Sequence, residues 1–279
     1  MTYRRVHEWQ LPMLNVTFEV SAYSDRGHIR AVNEDSYVAA PPIFAVADGM
    51  GGHAFGDLAS QTAAGVLSSR LAVERPLDPA EVVSAIAAAN TAVAAIDSGE
   101  QVAGTTLAGI ALVRPDGSED LHWMVFNIGD SRVYRWDGRS LSQVSVDHSA
   151  VQELIDNRTL DARDAATHAD RNIVTRALGI EVGVDSDVWI FPVDATESFF
   201  VCSDGLTKEV DDLTLSEILS SLDLKEARAE HLVRAALAAG GRDNVTVVSV
   251  AITIDRGVDV ATGIDAIVPE HLEETLPRT

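Results

Sequence analysis

The chain has 279 residues, 46% of them hydrophobic, and 43 acidic against 21 basic side chains give a formal net charge of −22. A surface that negative repels nucleic acid and anionic lipid, so neither is an expected partner. No run reaches the roughly eighteen uninterrupted apolar residues of a membrane span, the first residues lack a signal-peptide pattern, and the lone Cys202 excludes a disulfide framework or a multi-thiolate metal site. A cytoplasmic protein is the expectation.

Residues 1–15 carry no clean period and read as an irregular lead-in. Val16–Ser24 alternates as a strand, and Ile43–Ala47 is an all-apolar run, after Pro41-Pro42 and before a glycine cluster, that suits a strand covered on both faces. Asp57–Val73, with Leu58, Val66, Leu67 and Leu71, and the Ala-rich Pro79–Asp97 read as helices. Thr105–Arg114, Leu121–Ile128, Arg132–Trp136 and Ser140–Val146 are strand-like and separated by Pro115-Asp116-Gly117, Gly129-Asp130-Ser131 and Asp137-Gly138. Such short turns predict an antiparallel meander. After the polar, helix-leaning Asp147–Ala177 come strands at Asp187–Val193 and Ser198–Ser203, helices near Leu215–Leu222 and Lys225–Ala239, and a last strand at Val245–Ile254. Helices segregated from strand runs indicate an α+β layered domain over residues 16–254. The acidic, aperiodic 255–279 read as a flexible C-terminal tail.

Four aspartates sit at the ends of apolar strands, each beside or near a glycine: Asp48, Asp130, Asp204 and Asp243. A single such residue is an ordinary turn aspartate. Four beside strong core strands can meet on one rim, where they would raise one another's pKa unless a cation neutralised them. An all-oxygen set suits Mg²⁺ or Mn²⁺ better than zinc, since no cysteine or histidine cluster accompanies it.

Eight segments occur in an order that resembles the PPM family, the PP2C-type protein phosphatases, and its bacterial branch in particular. They are Ser24-Asp25-Arg26-Gly27 through Arg30 to Asn33-Glu34-Asp35, Asp48-Gly49-Met50-Gly51-Gly52-His53, Gly104-Thr105-Thr106-Leu107, Gly129-Asp130-Ser131-Arg132, Asp147-His148-Ser149, Asn172 through Gly179, Ser203-Asp204-Gly205 and Gly241-Arg242-Asp243-Asn244. The resemblance implies a four-layer αββα sandwich of two antiparallel β-sheets flanked by α-helices, with metals at one end between the sheets. It implies that Asp48 bridges two ions (Mn²⁺ or Mg²⁺), that the Gly49 carbonyl binds one of them, and that Asp204 and Asp243 complete the other. Asp130 resembles the residue that, with Asp204, holds a third, weaker ion. Glu34 and Asp35 fit an outer shell that orients water, Arg30 the residue that grips substrate phosphate, and His53 the general acid, against its plainer reading as a surface loop histidine.

The implied activity is metal-dependent hydrolysis of phosphoserine and phosphothreonine in proteins, Ser/Thr kinases or their targets, with in-line attack by an activated water. The alternative is a catalytically silent, phosphoprotein-binding module of the same fold. His28, His148 and His168 read as polar residues without chemistry, and Arg132 and Arg176 as structural partners of buried carboxylates. Residues 150–171 occupy the place of a variable flap beside the metal site. Thr275, in Glu-Glu-Thr-Leu-Pro, is a phosphorylation candidate for a phosphothreonine reader, against an inert tail threonine. Asp57 stands where relatives often carry Glu, and Phe55 where they carry a small residue.

Two other chemistries have partial signatures. Gly49-Met50-Gly51-Gly52-His53-Ala54 fits a relaxed dinucleotide loop, although Asp48 would point negative charge at a pyrophosphate. Cys202 precedes Lys208 by six residues, a cysteine-phosphatase spacing without its arginine, and lies inside an apolar strand.

Overall fold

Strands that alternate their side chains between two kinds of apolar layer arrange the molecule. The computed structural model describes residues 3–11, 16–51, 55–96, 102–222 and 227–254. Among these, β1 (Tyr3–Leu11), β2 (Val16–Asp25), β12 (Val245–Ile254), β11 (Ser198–Cys202), β8 (Arg132–Trp136) and β9 (Leu141–Gln143) form one sheet in that order. The second sheet runs β10 (Asp187–Pro192), β7 (His122–Ile128), β6 (Leu107–Val113), β4 (Ile43–Met50) and β3 (Asp35–Ala40), with β5 (Gly104–Thr105) paired to the end of β4. Every pairing between these strands is antiparallel.

Between the sheets, Phe18, Phe44, Trp123 and Phe199 form a chain of ring contacts 5.6–6.4 Å apart, surrounded by Val20, Val46, Ile110, Val201 and Val248. Each large side chain buried there contributes about 1.5–3 kcal/mol of transfer free energy. The alternate residues face outward onto helices. Ala45, Ala47, Ala111 and Phe126 of the second sheet meet α1 (Phe55–Leu71) and α2 (Pro79–Ala94), and α1 presents Ala59, Ala63, Leu67 and Leu71 as one stripe. Asp78 caps α2 through a reciprocal capping box with Glu81, and Pro79 takes its first position. Phe200, Cys202 and Val247 of the first sheet meet α4 (Asp204–Thr207), α5 (Asp212–Ser220) and α6 (Arg228–Ala239). The remaining helix, α3 (Ala150–Asp156), is followed by a 3₁₀ turn over Ala162–Thr167. The expected αββα sandwich is the fold.

Four local expectations change. The irregular lead-in is for the most part a strand, β1, whose nine residues pair with β2 from Tyr3↔Ser24 to Leu11↔Val16; an edge strand is held by backbone bonds and needs no buried periodic face of its own. The four-strand meander is two hairpins in different sheets, β6–β7 and β8–β9, with the chain crossing the sandwich at Gly129-Asp130-Ser131. Gly129 sits at φ +102°, a conformation that L side chains avoid, and a Cβ there would fall 2.6 Å from Thr106 Cγ2. Leu58 points to solvent, leaving Ala59 in the buried stripe. The strand expected at Ser140–Val146 is paired only over Leu141–Gln143. His53, Thr275 and the acidic tail lie outside the described residues, as does the end of the expected second helix at Asp97.

Candidate active site

Strand alternation carries the inter-sheet face past its apolar residues into polar ones, all at one end. Along β4, Phe44 and Val46 are followed on the same face by Asp48, and along β3, Ala39 and Tyr37 are preceded by Asp35. The β3–β4 register sets Asp35 directly opposite Asp48. Along β6 the same face reaches Thr106, along β12 Thr246, along β2 Ser24, and beyond β11 Ser203.

These neutral hydroxyls and amides fix the carboxylates. Asp48 N–H donates to Thr106 Oγ1 at 3.0 Å, while its carbonyl accepts from Thr106 N–H and Thr105 Oγ1, each at 2.9 Å. Ser203 Oγ donates to Asp35 Oδ2 at 2.7 Å, and Ser24 and Thr246 hydroxyls bond at 2.8 Å. Gly49 N–H donates to the Glu34 carbonyl at 3.2 Å, tying the end of β4 to the loop before β3. Asp204 begins α4 directly after β11, and Gly205 allows close approach to β12: a Cβ on it would lie 2.0 Å from the Asn244 carbonyl oxygen. That approach brings Asp204 beside Asp243. Asp130 arrives from the crossover and is itself buried.

The electrostatics follow from crowding like charges. Burial raises the Asp48 carboxyl well above its ordinary value, reinforced by Asp35, Asp204, Asp130 and Asp243. Asp35 is pushed up to about 7, by burial first and then by Asp204 and Asp243, against hydrogen bonds from Thr246 and Ser203. Asp130 is pushed up to about 7 by burial and Asp204, with Lys208 opposing. Asp204 is also raised by burial, although Lys208 offsets part of it. Asp35 Oδ1, Asp204 Oδ1 and Glu34 Oε1 are buried without a hydrogen-bond partner. A hard divalent cation would satisfy such oxygens and relieve the repulsion, so the donor set fits Mg²⁺ or Mn²⁺.

Two side-chain cations touch the cluster. Arg30 Nε and Nη2 each lie 2.9 Å from Asp243, so the expected phosphate-gripping residue is joined to an expected metal ligand. Lys208 Nζ pairs closely with Asp204 and lies 3.6 Å from Asp243. With these pairings, no three acidic, histidine or cysteine side chains among the described residues form a ready-made cage.

Lys208 was missed as a site residue, although its signal was present: it follows Asp204 by four residues, one helical turn. Asn244 was missed too. Its Nδ2 donates to the Arg26 and Val32 carbonyls at 2.9 and 3.0 Å and its Oδ1 accepts from Glu34 N–H at 2.8 Å, stapling the loop that carries Arg30 and Glu34 to the start of β12.

A groove of about 1030 Å³ is lined by Asp130, Asp204 and Asp243 together with Ser149, Ala162, Arg171, Asp211 and Leu213. The expected flap segment therefore supplies part of the lining. Arg132 forms a forked pair with the largely buried Asp147 at 2.7–3.0 Å, as expected of a structural arginine. Arg176 binds Asp187, whose side chain is 40% exposed, so its partner is a surface carboxylate and not a buried one. His148 Nδ1 accepts from Gly129 N–H, leaving Nε2 3.3 Å from Asp187; His28 faces the Leu237 carbonyl, and His168 Nδ1 accepts from Asp170 N–H.

Neither rival chemistry survives this geometry. The strand before Gly49-Met50-Gly51 has antiparallel neighbours on both sides, whereas a dinucleotide loop needs a parallel βαβ unit. Cys202 is fully buried against α4–α6, and burial pushes its thiol up to about 12, far from a nucleophilic thiolate.

The sandwich and its carboxylate end together define a PPM-type phosphatase architecture. Residues 26–239 match the family described as protein phosphatase 2C. Serine/threonine phosphatase Stp of Listeria welshimeri is 34% identical over 240 residues, 81% of this chain and 93% of Stp. Serine/threonine protein phosphatase PstP of Mycobacterium tuberculosis is 36% identical over 241 residues, 84% of this chain and 45% of PstP. The crystal structure of the PstP catalytic domain in complex with two manganese ions matches with a TM-score of 0.75 at 34% identity, covering 85% of this chain and 99% of that one. The chain belongs to the protein phosphatase 2C family.

Proposed function

We propose that this protein is a metal-dependent protein serine/threonine phosphatase acting in the cytoplasm on phosphorylated Ser/Thr kinases or their targets. One observation carries the reading: Asp35, Asp48, Asp130, Asp204 and Asp243 crowd the polar end of the inter-sheet seam, where among the described residues Arg30 and Lys208 are the cations that offset them, and Asp130, Asp204 and Asp243 line a groove. The relatives' names as serine/threonine phosphatases support the same chemistry.

In this reading Asp48, the Gly49 carbonyl, Asp204 and Asp243 would hold two Mn²⁺ or Mg²⁺ ions, and Asp130 with Asp204 would offer a place for a third. Such ions supply a nucleophile from water near neutral pH and screen phosphoryl charge. The chain's own residues do the rest. Asp35, backed by Ser203, and Glu34, fixed through its backbone by Asn244, accept hydrogen bonds from water and orient it. Arg30 turns its planar guanidinium to the phosphoryl oxygens, and the pair with Asp243 sets its direction. His53 protonates the departing serine or threonine oxygen. Residues 16–254 form the phosphatase domain, the 150–171 segment steers substrate access, and Thr275 in the 255–279 tail serves a phosphothreonine reader once modified.

Hydrolysis of a phosphothreonine peptide, followed with Mn²⁺ and with excess EDTA, tests this. Activity is expected only with the metal. Undiminished hydrolysis in excess EDTA would overturn the reading.

A further inference from the structure

Among the described residues, the seam's polar end contains one cation with no part in the proposed chemistry. Lys208 Nζ pairs closely with Asp204 and lies 3.6 Å from Asp243, and its charge also reaches Asp130. Its backbone is locked in place. Lys208 N–H donates to the Asp204 carbonyl at 2.8 Å, Leu206 and Val210 on either side are buried in the helix-facing core, and Gly205 packs against the Asn244 carbonyl. The side chain has about a third of its surface exposed to the groove, yet it turns inward to the carboxylates.

An exposed lysine one helical turn from an aspartate is usually a weak surface pair. This one differs because its partner has its second oxygen, Asp204 Oδ1, buried without a partner and sits among four other aspartates. A fixed ammonium in that position lowers the local negative potential and uses the Asp204 and Asp243 oxygens that a divalent ion would need.

Building on the two-ion reading above, we infer that Lys208 is a built-in counter-cation of the Asp204 side of the cluster, which competes with divalent ions there and loosens the ion held by Asp204. Lys208 is a positioning and tuning residue in this assignment. The consequence is a phosphatase whose occupancy at this side depends on the free concentration of divalent ion, with the ammonium returning to Asp204 and Asp243 as the ion leaves.

Titration of the purified full chain with Mn²⁺, with free Mn²⁺ read by electron paramagnetic resonance, tests the assignment without reference to turnover. The weakest resolved Mn²⁺ ion should bind at least about tenfold more tightly in Lys208→Met, a lower bound set by the fully water-screened repulsion between a unit charge and a divalent ion about 4 Å apart. Lys208→Gln removes the same charge with a polar side chain and should shift the isotherm in the same direction, while Lys208→Arg should stay near wild type. Coincident wild-type, Met and Gln isotherms, or opposite shifts for Met and Gln, would overturn the role of Lys208 while leaving two-ion binding intact. A wild-type chain that takes up no Mn²⁺ would overturn the two-ion reading and this inference together.

Discussion

Phe18, Phe44, Trp123 and Phe199 fill the middle of the inter-sheet seam; an even number of residues further along the same chain segments, Ser24, Asp48, Asn127 and Ser203 fill its end. The backbone geometry is common to both regions, and only the side-chain chemistry changes. In the middle, transfer of apolar surface from water stabilises the fold. At the end, burial works against the folded state, because it desolvates carboxylates that also repel one another. The contrast explains how a sandwich with a strong apolar centre can carry a strained, ion-seeking rim on the same strands: the centre supplies stability that the rim lowers, and binding of cations returns it.

Substitutions in the two regions should therefore separate activity from stability. The largest effect is expected at the polar end, where Asp48→Ala should lower hydrolysis of a phosphothreonine peptide by at least about 10³-fold, several kcal/mol of transition-state stabilisation. Its thermal unfolding in EDTA should be unchanged or slightly raised, since a like charge has been removed from the cluster. Phe44→Ala should do the reverse, costing about 3–5 kcal/mol in denaturant unfolding while leaving turnover per folded molecule close to wild type. A Phe44→Ala variant that unfolds like wild type would break the contrast from the apolar side.

Smaller effects sharpen it. Arg30→Ala should reduce kcat/KM about 10- to 100-fold, with the loss expressed in phosphate recognition. Far from the seam, Glu81 receives two N–H bonds from Arg75 and one from Asp78 N–H, and these hold its carboxyl at about 2 against an ordinary value of 4.5. A depressed carboxylate stabilises the fold above its unfolded pKa and loses that contribution as pH falls through the folded one. Glu81→Gln should thus cost about 0.5–1 kcal/mol at pH 7, as befits a capping box and an exposed pair. The difference from wild type should shrink as pH falls from 4.5 towards 2.

The apolar middle was legible in sequence because each strand buries a periodic or continuous hydrophobic run, as in Ile43–Ala47 and Ser198–Ser203. The helices were legible where small and large apolar residues recur by turns; even so, α1 is seated by Ala59 and Ala63, which carry less signal than the exposed Leu58. Two strands were not legible. β1 is an edge strand rich in charge, and β3 opens on Asp35-Ser36, carries only the short apolar stretch Tyr37–Ala40 and buries just Asp35 and Val38, so neither shows the long or alternating pattern of the other strands. The crossing at Gly129-Asp130-Ser131 has the same turn chemistry as a hairpin, and local sequence does not say whether the next strand returns to its own sheet or enters the facing one. At the site, strand-end aspartates pointed to a shared rim from residue types alone, and the ordered family resemblance assigned them separate roles. The pairing of Lys208 with Asp204 and the Asn244 staple depend on contacts between segments distant in sequence, apart from the four-residue spacing that placed Lys208 one turn from Asp204.

Thermal unfolding of the wild-type chain and Asp48→Ala over a series of Mn²⁺ concentrations tests most directly whether the polar end is an ion site. The wild-type midpoint should climb with Mn²⁺, by an amount equivalent to about 2.7 kcal/mol when the ion stands a hundredfold above its Kd, while Asp48→Ala should stay nearly flat. A wild-type midpoint that ignores Mn²⁺, or an Asp48→Ala midpoint that climbs equally, would contradict it.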